Sequence, residues 1–129
     1  MENKVLIPGS VGELLDKVSI LNIKRVMITD VDKLAMVKKE LSILNELSDV
    51  YLKNKDVENL YDLLLMVNKN LWDVEDELRK FEAEKRFDEE FISKARSVYM
   101  LNDRRHDLKN KINILFNSEI FEVKEYVKY

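Results

Sequence analysis

The sequence predicts an all-α protein: an antiparallel four-helix bundle or a pair of helical hairpins, with short extended segments at both ends. Three observations lead there. Two Gly and one Pro in 129 residues supply too few turns for a β protein. A composition 46% hydrophobic and 36% charged is the usage of amphipathic helices. Apolar residues also recur at alternating spacings of four and three over four successive segments, each preceded by a capping residue. The length fits one compact domain, residues 1–129, with enough apolar content for a continuous core.

The elements follow in order. Residues 3–7, NKVLI, are extended until Pro8-Gly9 stops them. Ser10, with Glu13 three positions on, is a capping-box signature and starts a first helix over about 11–28, carried by Leu14, Val18, Leu21, Arg25 and Ile28. Thr29 and Asp30 cap a second helix, about 31–53, whose stripe is Leu34, Val37, Leu41, Leu44 and Tyr51. Asn54-Lys55-Asp56 offers the next cap. A third helix, about 57–85, then keeps an unbroken rhythm through Leu60, Leu64, Val67, Leu71, Val74, Leu78 and Phe81. Asp88 caps a fourth, about 89–116, and the tail EIFEVKEYVKY alternates as an extended segment or short strand that could pair with the N-terminal one. No internal repeat interrupts this plan.

Composition excludes several function classes. Without Cys there is no disulfide, thiolate nucleophile or thiolate-bound zinc, and a reducing cytoplasm is the expected setting. The lone His106 cannot form a His-rich metal site and has no evident nucleophile beside it, so no catalytic motif is recognisable. An acidic pair of the kind that holds magnesium occurs at Asp73-Val74-Glu75-Asp76, but no second pair stands on the fourth helix. No metal and no cofactor is therefore called for. The N-terminus has no secretory signal and no segment has the ~18 uncharged apolar residues of a membrane span, so a membrane is excluded as partner. A net charge of −3 disfavours nucleic acid, which selects a concentrated positive surplus.

The charge is unevenly spread. Residues 71–90 hold nine acids against four bases, and residues 94–113 six bases against two acids. In a hairpin turning near residue 87, partners have numbers summing to about 174, which sets Trp72 near Asn102, Glu75 near Tyr99 and Arg79 near Ala95 and Arg96. The acidic helix then neutralises the basic one. Within the fourth helix, however, the face that begins with Phe91, Ala95 and Val98 continues as Asn102, Arg105, Lys109 and Asn113, so an apolar stripe turns polar. A buried arginine needs an acidic partner, and Glu75 or Asp76 has the register to provide one. On the first helix Glu13, Lys17, Ile20 and Lys24 share a face.

These positions define a candidate ligand site between helices: Glu13, Lys17, Lys24, Glu75, Arg79, Arg96, Tyr99, Asn102, Arg105 and Lys109. Guanidinium forks and ammonium groups suit a small anionic ligand. The alternative is an interaction or oligomerisation module, a homodimer among the options, whose charged cluster is a structural salt-bridge network. A third reading is a small-molecule enzyme with a pocket like that of helical chorismate mutases, on architecture alone.

Four stretches, GELLDKVSILNIK at 12–24, LWDVEDELRKFE at 71–82, FDEEFISKARSVYMLNDRRHDLKNKIN at 87–113 and EVKEY at 122–126, resemble an uncharacterised family of small helical proteins from bacteria and their viruses. The resembling positions include Gly12, Glu13, Asp16, Lys17, Trp72, Glu75, Asp76, Arg96, Tyr99, Asn102, Asp103, Arg105, Glu122, Lys124 and Tyr126. Val123 and Glu125 depart from the family pattern, which has an acid and a serine there. The resemblance implies a shared fold and brings no activity with it.

Overall fold

A computed structural model of the chain describes residues 3–117, 123, 125 and 127–129. Four helices make up the body: α1 (Val11–Met27), α2 (Val31–Leu52), α3 (Lys55–Ala83) and α4 (Glu89–Leu115). Each starts where a short polar side chain accepts from orphan N–H groups of the first turn. Ser10 Oγ accepts from Glu13 N, Asp30 from Lys33 N, Asn54 from Asp56 N and Val57 N, and Asp88 from Phe91 N. Only the first part of the expected capping box forms at α1, since the Glu13 carboxylate is drawn to Lys109 instead.

The third helix begins two residues earlier than its periodicity indicates, because Asn54 is the cap and Lys55 and Asp56 already belong to the first turn. No strand forms among the described residues. The N-terminal segment has no regular secondary structure and is exposed from residue 3 to residue 9, and the expected pairing with the tail rests largely on residues 118–122, 124 and 126, outside the described ones. Among the described residues no helix is long and apolar enough to cross a membrane.

Helices α3 and α4 form a long hairpin in the expected register, with Phe81 edge-on to Phe91 at 6.3 Å and Lys94 Nζ 2.9 Å from Glu77 Oε2. The short loops close α1–α2 as a second hairpin. Helix α1 meets α4 at Gly12, both α3 and α4 at Asp16, and α3 at Asn22, whose amide donates to Tyr61 Oη at 2.9 Å. It therefore crosses the α3–α4 hairpin instead of running along it.

Two apolar clusters result. Leu15 of α1 packs with Val57, Leu64, Val67 and Leu71 of α3 and Leu108 and Ile112 of α4, all nearly inaccessible. Burying a side chain of this size stabilises the fold by roughly 1.5–3 kcal/mol. On the opposite side of α1, Val18 and Leu21 pack on Val37 and Leu41 of α2. Arg25, which the four-three spacing had put in line with the core, is exposed.

Candidate functional site

The polar stripe of α4 does turn inward, and it faces α1. Asn113 and Lys109 are buried and Arg105 half-buried. Across from them, Gly12, Asp16 and Ser19, spaced four and three apart, present a buried face of small and polar residues. Gly12 sits where the two backbones come closest: a Cβ there would stand 2.5 Å from the Lys109 carbonyl oxygen and 2.8 Å from Asn113 Oδ1. No other residue type fits without moving one helix. The approach lets Gly12 N–H donate to Asn113 Oδ1 at 2.7 Å, so a side chain of α4 satisfies one of the unpaired amides that open α1.

One turn on, the Asp16 carboxylate, 4% exposed, is the centre of a network. Its Oδ1 accepts from Arg105 Nε at 2.9 Å and from Asn68 Nδ2 at 3.0 Å, and its Oδ2 accepts from Arg105 Nη2 at 2.6 Å. The Lys109 ammonium stands 3.7 Å from Oδ2 and 2.6 Å from Glu13 Oε1. Asn68 spends its amide hydrogens on Asp16 and, at 2.7 Å, on Ser19 Oγ, which itself donates to the Asp16 carbonyl at 2.7 Å. Among the described residues, two carboxylates and two cations thus meet in one cluster drawn from three helices.

Burial alone would raise the Asp16 pKa. The Arg105 hydrogen bonds, the Asn68 amide and the charges of Arg105 and Lys109 together outweigh it and hold the carboxyl below its ordinary value. The forked guanidinium–carboxylate geometry is the strong form of such a pair.

The partner of Arg105 is therefore Asp16 of α1, and not Glu75 or Asp76 of α3 as the hairpin register had led us to expect. Position 75 points outward: Glu75 and Arg79 are exposed and line a shallow groove with Phe91 and Ala95. The remaining candidates are also dispersed. Lys17 is exposed and bonds Glu40 of α2 at 3.3 Å, and Lys24 is half-buried in the last turn of α1. Arg96 is exposed with its Nε 3.4 Å from Tyr99 Oη. Tyr99 stacks edge-on against Tyr129 at 5.3 Å, in a groove that Asn102 and Asp103 also line, and Tyr129 donates to Asp103 at 2.7 Å. Of the ten candidates, Glu13, Arg105 and Lys109 meet in one network.

Sequence reasoning missed Asp16, Ser19, Asn68 and Gly12 as members of this network. Two signals were readable: a small-polar face at 12, 16 and 19 beside the apolar one, and an Asn inside the otherwise apolar stripe of α3, between Leu64 and Leu71. The tail positions Glu122, Lys124 and Tyr126 lie outside the described residues.

The geometry defines an all-α protein built around a buried ion-pair network. The chain belongs to a family of unknown function, DUF6165, which matches residues 4–128. No curated protein and no solved structure matches it.

Proposed function

We propose that the chain is a protein-interaction module: the charged cluster acts as an internal salt-bridge network that locks α1 across the α3–α4 hairpin, and the outer face of α2 is the working surface. The observation that carries this reading is the disposition of apolar residues on α2. Met36, Ile43, Leu47 and Val50 lie on one side of the helix and remain 46–72% exposed, while only Val37, Leu41 and Ser48 are buried. Exposed apolar stripes of this kind mark interaction sites.

The anionic-ligand reading asks Arg105 and Lys109 to hold a guest, yet both already hold Asp16, and Lys109 holds Glu13 as well. None of the four cavities described lies against either cation. A chain without Cys also fits a reducing, cytoplasmic setting.

Thermal denaturation in millimolar phosphate, sulfate, citrate and nucleoside triphosphates tests the choice. The expected result is a melting temperature unchanged by any of them at constant ionic strength. A rise of several degrees that disappears in Arg105→Leu would replace this reading with an anion site.

A further inference from the structure

We infer that the partner of the α2 face is a second copy of the chain, the two α2 helices lying side by side and antiparallel about Ile43; this rests on the interaction reading above. Helix α2 is the outermost element. It packs on α1 and on part of α3, and its opposite side meets no element of the described chain. Along that side Met36, Ile43 and Val50 recur every seven residues, with Leu47 beside them. A heptad spacing is the pattern that keeps one helix in continuous contact with another.

The face continues into the N-terminal segment. Ile7 and Leu47 line the same groove, and Val5, Leu6 and Ile7 are each at least 80% exposed. The exposed parts of the stripe and this segment together reach several hundred Å², on the order of the ~800 Å² that each partner gives to a standard interface. A two-fold contact uses the same patch on both molecules, so a single apolar stripe is sufficient for a dimer.

The charges beside the stripe select both the partner and the register. Lys33, Lys38 and Lys39 are matched by Glu40, Glu46 and Asp49 on the same helix. A helix that lies on an anionic membrane instead carries a polar face dominated by Lys and Arg. At 100° per residue, Lys39 and Glu46 fall on one flank of the stripe and Glu40 on the other. Antiparallel pairing about Ile43 sets like flanks together and lays each Lys39 beside the other copy's Glu46, whereas parallel pairing would set Lys39 against Glu40, which already holds Lys17 of its own chain at 3.3 Å.

Light scattering coupled to size exclusion, from micromolar to millimolar chain, tests the dimer. The expected mass is twice 15.3 kDa at the upper end. Ile43→Glu, its helicity checked by circular dichroism, should weaken association roughly 30-fold or more, as loss of a central anchor does. Lys39→Glu and Glu46→Lys should each weaken it, and an equimolar mixture of the two variants should recover it. Because the chain has no Cys, Ile43→Cys provides a clean second measurement: oxidation should cross-link the two antiparallel helices where the two-fold axis passes, and Val50→Cys should not cross-link.

A mass of 15.3 kDa at every concentration overturns the proposal, as does sedimentation of the monomer with phosphatidylcholine–phosphatidylserine vesicles. A dimer that cross-links through Val50→Cys overturns the antiparallel register. The interaction reading itself stands or falls on the anion measurements, which a monomer supports equally well.

Discussion

The two faces of α1 use opposite means of attachment. Towards α2 the contact is apolar and simple: Val18 and Leu21 against Val37 and Leu41, with one exposed ion pair, Lys17–Glu40, at the edge. Towards α3 and α4, Leu15 supplies the apolar anchor, and a seam of Gly12, Asp16 and Ser19 is fitted to Asn68, Arg105, Lys109 and Asn113 by hydrogen bonds. An apolar contact can slide by a turn at modest cost. A bidentate arginine on a buried carboxylate, beside a glycine that admits no Cβ, holds in one register. The difference explains how a helix of 17 residues keeps a fixed crossing over a much longer hairpin.

The largest expected effect breaks the polar side. Asp16→Leu leaves Arg105 and the buried Lys109 without their shared carboxylate, and a buried ion pair broken on one side costs about 3–5 kcal/mol. Urea unfolding followed by circular dichroism measures this directly. Asp16→Leu combined with Arg105→Leu should cost less than Asp16→Leu alone, since the guanidinium that loses its bidentate carboxylate is removed with it. A double-variant loss equal to the sum of the two single losses would mean that the two side chains act independently.

Next comes the close approach that admits the seam. Gly12→Ala places a Cβ against the backbone of α4, which cannot rotate aside as a side chain can. Overpacking of this kind costs about 1–3 kcal/mol. A variant as stable as the parent in the same urea experiment would show that α1 and α4 can separate freely here.

The pH dependence sharpens the comparison further. A carboxyl whose folded-state pKa is depressed contributes its full stability above the unfolded value of about 3.9 and loses it as pH falls through the folded value. The stability gap between the parent and Asp16→Leu should therefore be constant from pH 7 to about pH 5 and narrow below about pH 4. A gap that narrows already at pH 6 would assign the titration to another group.

The smallest effect lies on the α2 side. Lys17→Ala removes a pair whose side chains are 59% and 46% exposed, and after screening by solvent its loss should stay within about 0.5 kcal/mol and vanish in molar salt. A larger, salt-resistant loss would mean that the two sides of α1 are less different than described.

Much of the fold was legible because its determinants are local. Ser10, Asp30, Asn54 and Asp88 each stand next to the amides they cap, and the four-three rhythm of α3 is a property of consecutive residues. The α3–α4 register followed from one turn. The inward turn of Arg105, Lys109 and Asn113 was legible as a face, but its partner was not, and Asn102, read on the same face, lines the groove beside Tyr99 instead. Periodicity tells which residues of a helix share a side, and says nothing of which other helix that side meets.

Chain order favours the neighbour in sequence, so Glu75 and Asp76 of the adjoining helix were the natural partners for Arg105. The actual partner lies 89 residues away, on a helix that crosses the hairpin. The sequence by itself determined four capped helices, one long hairpin and a polar stripe, because each depends on groups within a turn or two of one another. Only the tertiary structure decided that Asp16, Asn68 and Arg105 meet, and that Gly12 is the point of closest approach. Those facts depend on the angle at which α1 lies across α3 and α4, which is set by packing three surfaces together and is written in no single segment.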